Sequence, residues 1–409
     1  MKTMNTPTLR FKEFSGAWEV KKLGDISSKI GSGSTPTGGA EVYQTFGIPF
    51  IRSQNVNNEC LNLKDLVYIS EEINNQMKGS IVKANDVLLN ITGASIGRTC
   101  VVPLDFDTGN VNQHVCIIRL SEGYEPRFFH SYLSSERGQK SVLSFQVGSG
   151  REGLNFQAIR SFKIYSPTLL EQTKIANFLT TVDEKIAQLS QTAQLLTDYK
   201  KGVMQQIFSQ QLRFKDDDGR EFAEWEEKSL EAFLIPEFRE VEKPKGLYLA
   251  IGIRSHCKGT FQRPDADPEK NAMDNLFQVK EKDLIVNITF AWEGAIAIVK
   301  KEDDGGLVSH RFPTYVFNEE ISNYKFFQYV FIRPRFREQL DLISPGGAGR
   351  NRVMSKKDFL KIKCELPCVE EQTKIANFLT AIDDKINHNQ TQLDAMKQYK
   401  AGLLQQMFV

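Results

Sequence analysis

The decapeptide EQTKIANFLT occurs twice in this chain of 409 residues, at residues 171–180 and again at residues 371–380. The likeness continues downstream in both copies. Matched pairs are Asp183/Asp383, Tyr199/Tyr399, Lys200/Lys400 and Phe208/Phe408. A repeat of this length indicates that one structural unit is present twice in the chain.

The repeated segments have the periodicity of paired helices. Apolar residues recur at alternating steps of four and three, which is the 3.5-residue spacing of a coiled-coil seam. Pro167 and Pro367 stand just upstream, where a helix can begin. Asn389 takes the place of Leu189 in the second copy, and a buried Asn commonly fixes helix register. The alternative is two independent surface helices. The expected seam and partner-docking residues are Ile175, Leu179, Val182, Ile186, Ile375, Leu379, Ile382, Ile386 and Asn389.

A weaker echo joins the N-terminus to the middle of the chain. Residues 9–12, followed by Trp18, resemble residues 212–215, followed by Trp225. The segment that follows the first repeated helix therefore reappears at the N-terminus. We expect residues 5–19 to lie near Phe408, and the molecule to have circular pseudo-two-fold symmetry.

The regions between the repeats predict two α/β modules of mixed topology. Short β-rich runs alternate with Gly, Asn, Asp and Pro and with helical stretches such as 126–136 and 324–342. The expected fold is α/β, with two such modules separated by a long two-helix coiled coil. The expected segments are 1–19 (completing the circular repeat), 20–167 (first module), 168–208 (first spacer helix), 209–225 (connector), 226–367 (second module) and 368–409 (second spacer helix).

The overall charge excludes a uniformly basic nucleic-acid coat, because 52 Lys and Arg balance 51 Asp and Glu. Basic charge is local instead. Residues 325–363 contain ten Lys or Arg and three acids, and residues 127–163 contain six and two. The same concentration in both modules suits a surface that follows DNA phosphates. For either stretch alone, the alternative is a solvated helix face.

Several classes of protein are disfavoured by what the sequence lacks. No apolar run approaches the ~20 residues of a membrane span, and the N-terminal stretch has no signal-peptide core. The six cysteines form no CxxC pair, so we expect reduced thiols, no metal and a cytoplasmic location. Phosphate-loop, HExxH and GxSxG motifs do not occur. We therefore expect no cofactor and no catalytic site.

The candidate DNA-reading residues lie on glycine-rich loops and polar runs. Glycine lets the backbone approach phosphate closely, whereas Arg, Asn and Gln offer paired hydrogen bonds to base edges. For each residue a structural turn or core hydrogen bond is the alternative. The candidates are Arg52, Gln54, Thr92, Ser95, Arg98, Gln113, His114, Arg151, Asn155, Arg254, Thr289, His310, Arg311, Arg350, Asn351 and Arg352.

The layout resembles the specificity subunit of type I restriction-modification systems. The motifs that carry the resemblance are GAWEVKKLGDI (16–26), NITGASIGR (90–98), GSGREGLNF (148–156), SPTLLEQTKIANFLTTVDEKI (166–186) and LPCVEEQTKIANFLTAIDDKI (366–386). The resemblance implies two target-recognition domains, each reading one half of a split double-stranded DNA site. It also implies that the two long helices form an antiparallel coiled coil. That coiled coil would set the spacing and dock two methyltransferase subunits, with restriction translocase-nuclease subunits joining the complex. The second half departs from the pattern, because Phe290 to Glu293 stand where the first half has Gly93 to Ile96.

The sequence thus predicts a non-catalytic DNA-specificity subunit. Two other classes stay open at this point: a coiled-coil adaptor whose modules bind proteins, and a stand-alone enzyme. DNA binding that falls steeply with salt favours the first reading over the adaptor. Methyl transfer or DNA cleavage by the purified chain alone would favour the enzyme.

Overall fold

The computed structural model describes residues 6–57, 60–145, 153–346 and 352–409. Contacts divide the chain into two compact units, which we describe separately. Unit 1 consists of Met1–Gln194 with His388–Val409, and unit 2 is Leu195–Asn387. Each long helix therefore contributes one part to each unit. The domain boundaries drawn from the sequence remain predictions.

Unit 1 is a mixed α/β unit built on two small sheets and one ladder. Among its described residues, one sheet has the order β2-β9-β6-β7, another β4-β3-β8-β5, and β1 pairs with β10. The strands are β1 (Glu19–Lys22), β2 (Ser27–Ser32), β3 (Ile48–Ile51), β4 (Val67–Ile69), β5 (Ile81–Val82), β6 (Val87–Asn90), β7 (Thr99–Val101), β8 (Gly109–Val111), β9 (Val115–Leu120) and β10 (Lys163–Ser166). The helices are α1 (Glu71–Gln76), α2 (Pro126–Ser134), α3 (Glu136–Ser144), α4 (Phe156–Ser161) and the start of α5 (Leu169–Phe208).

Unit 2 is likewise mixed α/β. In its described part the sheets have the orders β12-β20-β17-β18 and β13-β16-β19-β14-β15, and β11 pairs with β21. The strands are β11 (Glu226–Ser229), β12 (Leu234–Pro236), β13 (Glu240–Glu242), β14 (Tyr248–Ile253), β15 (Thr260–Ala266), β16 (Asn275–Gln278), β17 (Leu284–Val286), β18 (Ile296–Ile298), β19 (Leu307–Val308), β20 (Thr314–Phe317) and β21 (Lys363–Leu366). The helices are α6 (Tyr324–Phe331), α7 (Pro334–Leu342), α8 (Lys356–Leu360) and the start of α9 (Val369–Met407).

The two long helices predicted from the repeats are present. They begin two residues after Pro167 and Pro367 and run for 40 and 39 residues. Two shorter helical stretches were also predicted, and both are helical. The stretch 324–342 consists of two helices, because Pro334 cannot continue the backbone hydrogen bonds of α6 and instead starts α7. The expected helix 126–136 likewise ends at Ser134, and Ser135 caps α3.

In unit 1 the start of α5 packs against the end of α9. Asn389 donates from Nδ2 to the carbonyl of Leu189 at 2.9 Å, and Lys400 pairs with Asp183 at 2.5 Å. Leu189 and Asn389 are both only 6% exposed. In these contacts a lower residue number in α5 is paired with a higher residue number in α9, so the two segments run antiparallel.

In unit 1 the end of α9 packs against residues that precede β1 and against α2. Leu9 donates its N–H to the carbonyl of Gln406, and the rings of Phe128 and Phe408 lie 5.3 Å apart. Trp18 is 2% exposed in the same core. The last turn of α9 therefore completes the core beneath α2.

Unit 2 repeats this packing with its own residues. Phe208 at the end of α5 lies 5.7 Å from Phe326 of α6, and Lys200 pairs with Asp383 at 2.5 Å. Ile375 and Leu379 of α9 are fully buried in this core. In each unit, the start of one long helix and the end of the other long helix therefore lie in the same core.

A partly buried ion pair anchors the start of each long helix. In unit 1, Arg10 contacts Glu171 at 2.7 Å while the indole of Trp18 donates to the same carboxylate. In unit 2, Arg213 contacts Glu371 at 2.9 Å. The hydrogen bond to Glu171 raises the pKa of Arg10, and that to Glu371 raises the pKa of Arg213. The two cores are therefore built on the same contacts.

Candidate nucleic-acid interface

The loop between β6 and β7 contains three candidate residues, Thr92, Ser95 and Arg98. Gly93 and Gly97 have φ angles of +71° and +87°, which favour glycine. The loop is closed by backbone bonds from Gly97 to Asn90 and from Asn90 to Arg98. Arg98 is exposed at its end, and its guanidinium makes no hydrogen bond or ion pair to the described part of the chain.

A chain of side-chain hydrogen bonds lies beside this loop. Thr35 donates to Oε1 of Gln113 at 2.5 Å, and Nε2 of Gln113 lies 3.1 Å from Nε2 of His114. Nδ1 of His114 lies 2.6 Å from the hydroxyl of Thr92. Gln113 is exposed, whereas His114 and Thr92 are half-buried. This network joins three predicted site residues to Thr35, which the sequence analysis missed.

Arg52 and Asn90 lie at the base of the same region. The guanidinium of Arg52 lies 5.7 Å from the ring centre of Tyr43, and Nδ2 of Asn90 donates to the carbonyl of Ser53. Nε of Arg52 and Oδ1 of Asn90 are buried without a hydrogen-bond partner within the described ranges. Of the neighbouring candidates, Gln54 is exposed and Ser95 is half-buried.

The matching loop of unit 2 has different chemistry. Trp292 donates from Nε1 to the carbonyl of Thr289, which closes the turn. Glu293 accepts a hydrogen bond from Ser255 at 2.7 Å. A cavity of about 640 Å³ opens beside them, and its lining includes Phe290, Glu293, Ser255 and Phe312. Ser255 and Glu293 were not among the predicted site residues.

The other unit 2 candidates are partly occupied by structural contacts. Arg254 donates to the carbonyl of Thr260 and lies 5.4 Å from the ring centre of Phe261. His310 is exposed, with Nδ1 3.2 Å from the sulfur of Met273. Arg311 is exposed nearby in sequence. Only Arg311 of this group has a side chain free of such contacts within the described residues.

Two candidates have structural roles that the sequence analysis treated only as alternatives. Asn155 caps α4 by accepting a hydrogen bond from the N–H of Ala158, as short polar side chains commonly do at helix starts. Arg352 donates to Ser344 and pairs with Asp341 at 2.8 Å, over the ring of Trp292. The Arg352 contacts hold the end of α7, and in both candidates part of the side chain's hydrogen-bonding capacity is used within the protein.

Three further candidates, Arg151, Arg350 and Asn351, lie outside the described residues.

The basic residues of the stretch 325–363 differ in their exposure. Arg333 packs over Phe208 at 4.4 Å, and burial lowers its pKa, so it belongs to the core of unit 2. Lys356 and Lys357 remain exposed.

The docking residues named from the helix repeats are buried. Ile175, Leu179, Ile375 and Leu379 are at most 1% exposed, so they form cores and cannot themselves contact a partner. The remaining seam residues, Val182, Ile186, Ile382, Ile386 and Asn389, are buried or half-buried. Any docking surface on these helices must therefore be formed by other, exposed positions.

Within the described residues, no cluster of three or more His, Cys, Asp or Glu could hold a metal, and no helix could span a membrane. Burial raises the pKa of the Cys116 and Cys364 thiols to about 12, so both stay protonated and unreactive.

The chain belongs to the family described as the type I restriction modification DNA specificity domain, whose model matches residues 16–197 and 263–398. It is 23% identical over 407 residues to the putative type I restriction enzyme MjaX specificity subunit of Methanocaldococcus jannaschii, covering 95% of this chain and 92% of the relative. It is also 35% identical over 132 residues to the type I restriction enzyme EcoBI specificity subunit of Escherichia coli, covering 32% and 27%.

Two solved structures share the fold. One is the S subunit of a type I restriction-modification system from M. genitalium, with a TM-score of 0.61, 14% identity and 99% coverage of both chains. The other comes from a study of complex assembly in the type I system, with a TM-score of 0.52, 13% identity and 96% and 97% coverage. The mixed α/β fold with two long helices is therefore that of a specificity subunit, and the chain is a DNA target-recognition protein.

Proposed function

We propose that this chain reads an asymmetric, bipartite double-stranded DNA site, one half with each unit. The observation that carries the proposal is a contrast within the chain. The two cores repeat the same contacts, from the Arg10–Glu171 and Arg213–Glu371 pairs to the closing Phe408 and Phe208 rings. The loops that hold the candidate reading residues differ.

That contrast is clearest at one matched position. Thr92 and Thr289 follow the same Asn-Ile dipeptide, and His114 lines up with His310. Thr92 is bonded to His114, whereas His310 lies against Met273. Side chains of the same type thus present different hydrogen-bonding groups, which is what two unlike half-sites require.

The long helices act in this proposal as an antiparallel coiled coil that sets the spacing. A helix of 40 residues is about 60 Å long at ~1.5 Å per residue. That length exceeds the ~34–36 Å of one turn of DNA. It is therefore sufficient to hold two readers a full turn apart.

The exposed residues that are identical in the two helices form the proposed docking surface for two methyltransferase subunits. Tyr199 and Tyr399 are 52% and 51% exposed, and Lys185 and Lys385 are both exposed. Exposed positions contribute little to stability, so folding alone does not keep them alike. Tyrosine is enriched among residues that dominate binding energy at interfaces. Two similar faces suit two copies of one partner.

In this proposal the chain itself is non-catalytic. Adenine methylation belongs to the docked methyltransferase subunits, and DNA cleavage belongs to restriction translocase-nuclease subunits that join them. Neither activity is expected of the purified chain. A protein-binding adaptor is the competing class, and it predicts no sequence preference for DNA.

One arginine variant in each unit tests the reading role. Arg98→Ala in unit 1 and Arg311→Ala in unit 2 each remove an exposed cation from a candidate loop. We expect each to weaken binding of a specific duplex about tenfold and to relax base preference in one half-site only. The measurement is binding of randomised duplexes by the full chain at several salt concentrations, with sequencing of the bound fraction. Wild-type binding without sequence preference would contradict the proposal.

Stoichiometry tests the docking role. Tyr199→Ala and Tyr399→Ala each alter one of the two matched faces, so each should leave one tightly bound methyltransferase subunit instead of two. The double variant should bind neither at concentrations that saturate the wild type. Leu195→Ala is the control, because Leu195 is 61% exposed but is not repeated in α9. Native mass spectrometry counts the subunits, and two subunits on the double variant would exclude these faces.

A further inference from the structure

Glu293 lies in the turn that joins β17 to β18, in the loop of unit 2 that matches the β6–β7 loop of unit 1. Its side chain is half-buried and lines the cavity of about 640 Å³. Lys270 lines the same cavity but pairs with Asp267 at 3.6 Å. Within the described residues, Glu293 has no ion-pair partner, so its carboxylate is available to a ligand.

The fold does not need the Glu293 side chain to join this turn to the residues after β14, because backbone hydrogen bonds already do so. The N–H of His256 donates to the carbonyl of Glu293 at 2.7 Å, and that of Cys257 donates to the carbonyl of Gly294 at 2.8 Å. The hydroxyl of Ser255 adds a hydrogen bond to Oε2 of Glu293 at 2.7 Å. This last bond orients the carboxylate beside the cavity.

The hydrogen bond between Ser255 and Glu293 has only one possible direction. An ionised carboxylate has no hydrogen to donate, so the hydroxyl of Ser255 is the donor. The single hydroxyl hydrogen of Ser255 is thereby used, and both side chains keep only acceptor lone pairs. This pair of side chains therefore presents acceptors, and no donor, to a group that enters the cavity.

Acceptors distinguish the amino groups of bases from their keto groups. In the major groove adenine and cytosine present the N6 and N4 amino donors, whereas guanine and thymine present the O6 and O4 acceptors. A carboxylate against O6 or O4 leaves both groups unpaired, which is costly once water is excluded. Every base pair has one such amino group, so a carboxylate can determine which strand carries it.

We propose that Glu293, oriented by Ser255, accepts a hydrogen bond from the exocyclic amino group of one adenine or cytosine in the half-site read by unit 2. It thereby determines which strand carries that base at one position. This inference rests on the proposed function. In unit 1, Ile96 stands where unit 2 has Glu293, and it packs against the core. The determinant is therefore expected in one half-site only.

Glu293→Gln tests the inference on the full chain. The amide keeps the size of the side chain but adds a donor, so discrimination between one base pair and its strand-exchanged form should fall about tenfold. Ser255→Ala should lower discrimination at the same position by less. Glu231→Gln is the matched control, because Glu231 is exposed and accepts from Ser229 at 3.3 Å but does not line the cavity. The measurement is selection from a randomised duplex library with sequencing of the bound fraction.

Removal of the amino group from the DNA provides the second test. At the position that Glu293→Gln alters, unsubstituted purine replaces adenine, or 2-pyrimidinone replaces cytosine, which also identifies the base that donates. Wild-type binding should weaken about tenfold, whereas Glu293→Met, which has no carboxylate, should bind both duplexes equally.

The outcomes separate this inference from the proposed function. Altered discrimination at one position of one half-site, with an amino-group effect confined to chains that keep Glu293, supports the inference. Unchanged discrimination in Glu293→Gln overturns it, as does an equal loss of binding by wild type and Glu293→Met when the amino group is removed. In either case the bipartite reading stands. Absence of any sequence preference in the wild type would remove the proposed function as well.

Discussion

At the scale of single residues, His130 shows how burial sets a charge state. It lies on α2, its Nδ1 is buried without a partner in the described part of the chain, and Lys400 is close. Burial, assisted by the nearby ammonium, lowers the pKa of His130 to about 4. The imidazole is therefore neutral in the folded protein at neutral pH.

The expected consequence is a pH-dependent stability. Between about pH 6.5 and pH 4 the unfolded chain binds a proton at His130 and the folded chain does not, so the free energy of unfolding falls as the pH falls. The contribution is up to about 1.4 kcal/mol per pH unit. His130→Gln should remove that contribution, measured by urea unfolding at pH 7 and pH 5. Parallel pH dependences of variant and wild type would contradict it, and His388→Gln on exposed helix surface is the control.

Residue chemistry predicted the grouping of the candidate site residues only in part. Gly-rich loops and polar runs indicated Thr92, Gln113 and His114, and the structure brings these three together. Thr35 was missed because it lies far from them in sequence and joins them only through the fold. Asn155 and Arg352 show the converse, because a polar side chain in a loop serves equally well as a helix cap or an ion-pair partner.

At the scale of elements, periodicity was the reliable signal. It predicted two long helices, and α5 and α9 are present with their starts just after the two prolines. It could not predict that Tyr199 and Tyr399 of these helices are half exposed and not buried between the helices. The strand order of the sheets was not predictable either, because short strands with long-range partners leave no local sequence pattern.

Asn389 offers a test of helix pairing. Its side chain is 6% exposed and donates a hydrogen bond to the backbone carbonyl of Leu189 in α5. Asn389→Leu should raise the free energy of unfolding by about 1 kcal/mol, since a buried apolar contact replaces a buried amide, and should weaken the specification of register. Denaturant unfolding measures the first effect, and distances between spin labels on the two segments measure the second. A loss of stability would show that the hydrogen bond outweighs the apolar contact.

At the scale of the whole molecule, the proposed spacer can be lengthened. Inserting seven residues, one full repeat of the seam, after both Leu189 and Asn389, which contact each other across the pair, adds about 10 Å of helix. That length corresponds to about three base pairs at ~3.4 Å each. We expect the gap between half-sites to grow by that amount while both half-sites keep their sequences, as read by sequencing methylated genomic DNA. An unchanged gap would show that the helices do not set the spacing between the half-sites. Insertion into one helix alone is the control.

The division of the chain into units carries a consequence for its synthesis. Unit 2 is one continuous segment, whereas unit 1 needs Leu403, Met407 and Phe408 to fill its core. During translation the N-terminal part of unit 1 is made long before those residues, so its core stays incompletely packed until the end of α9 has been made. Premature termination near codon 402 should therefore damage the part of the protein made first and spare the part made second.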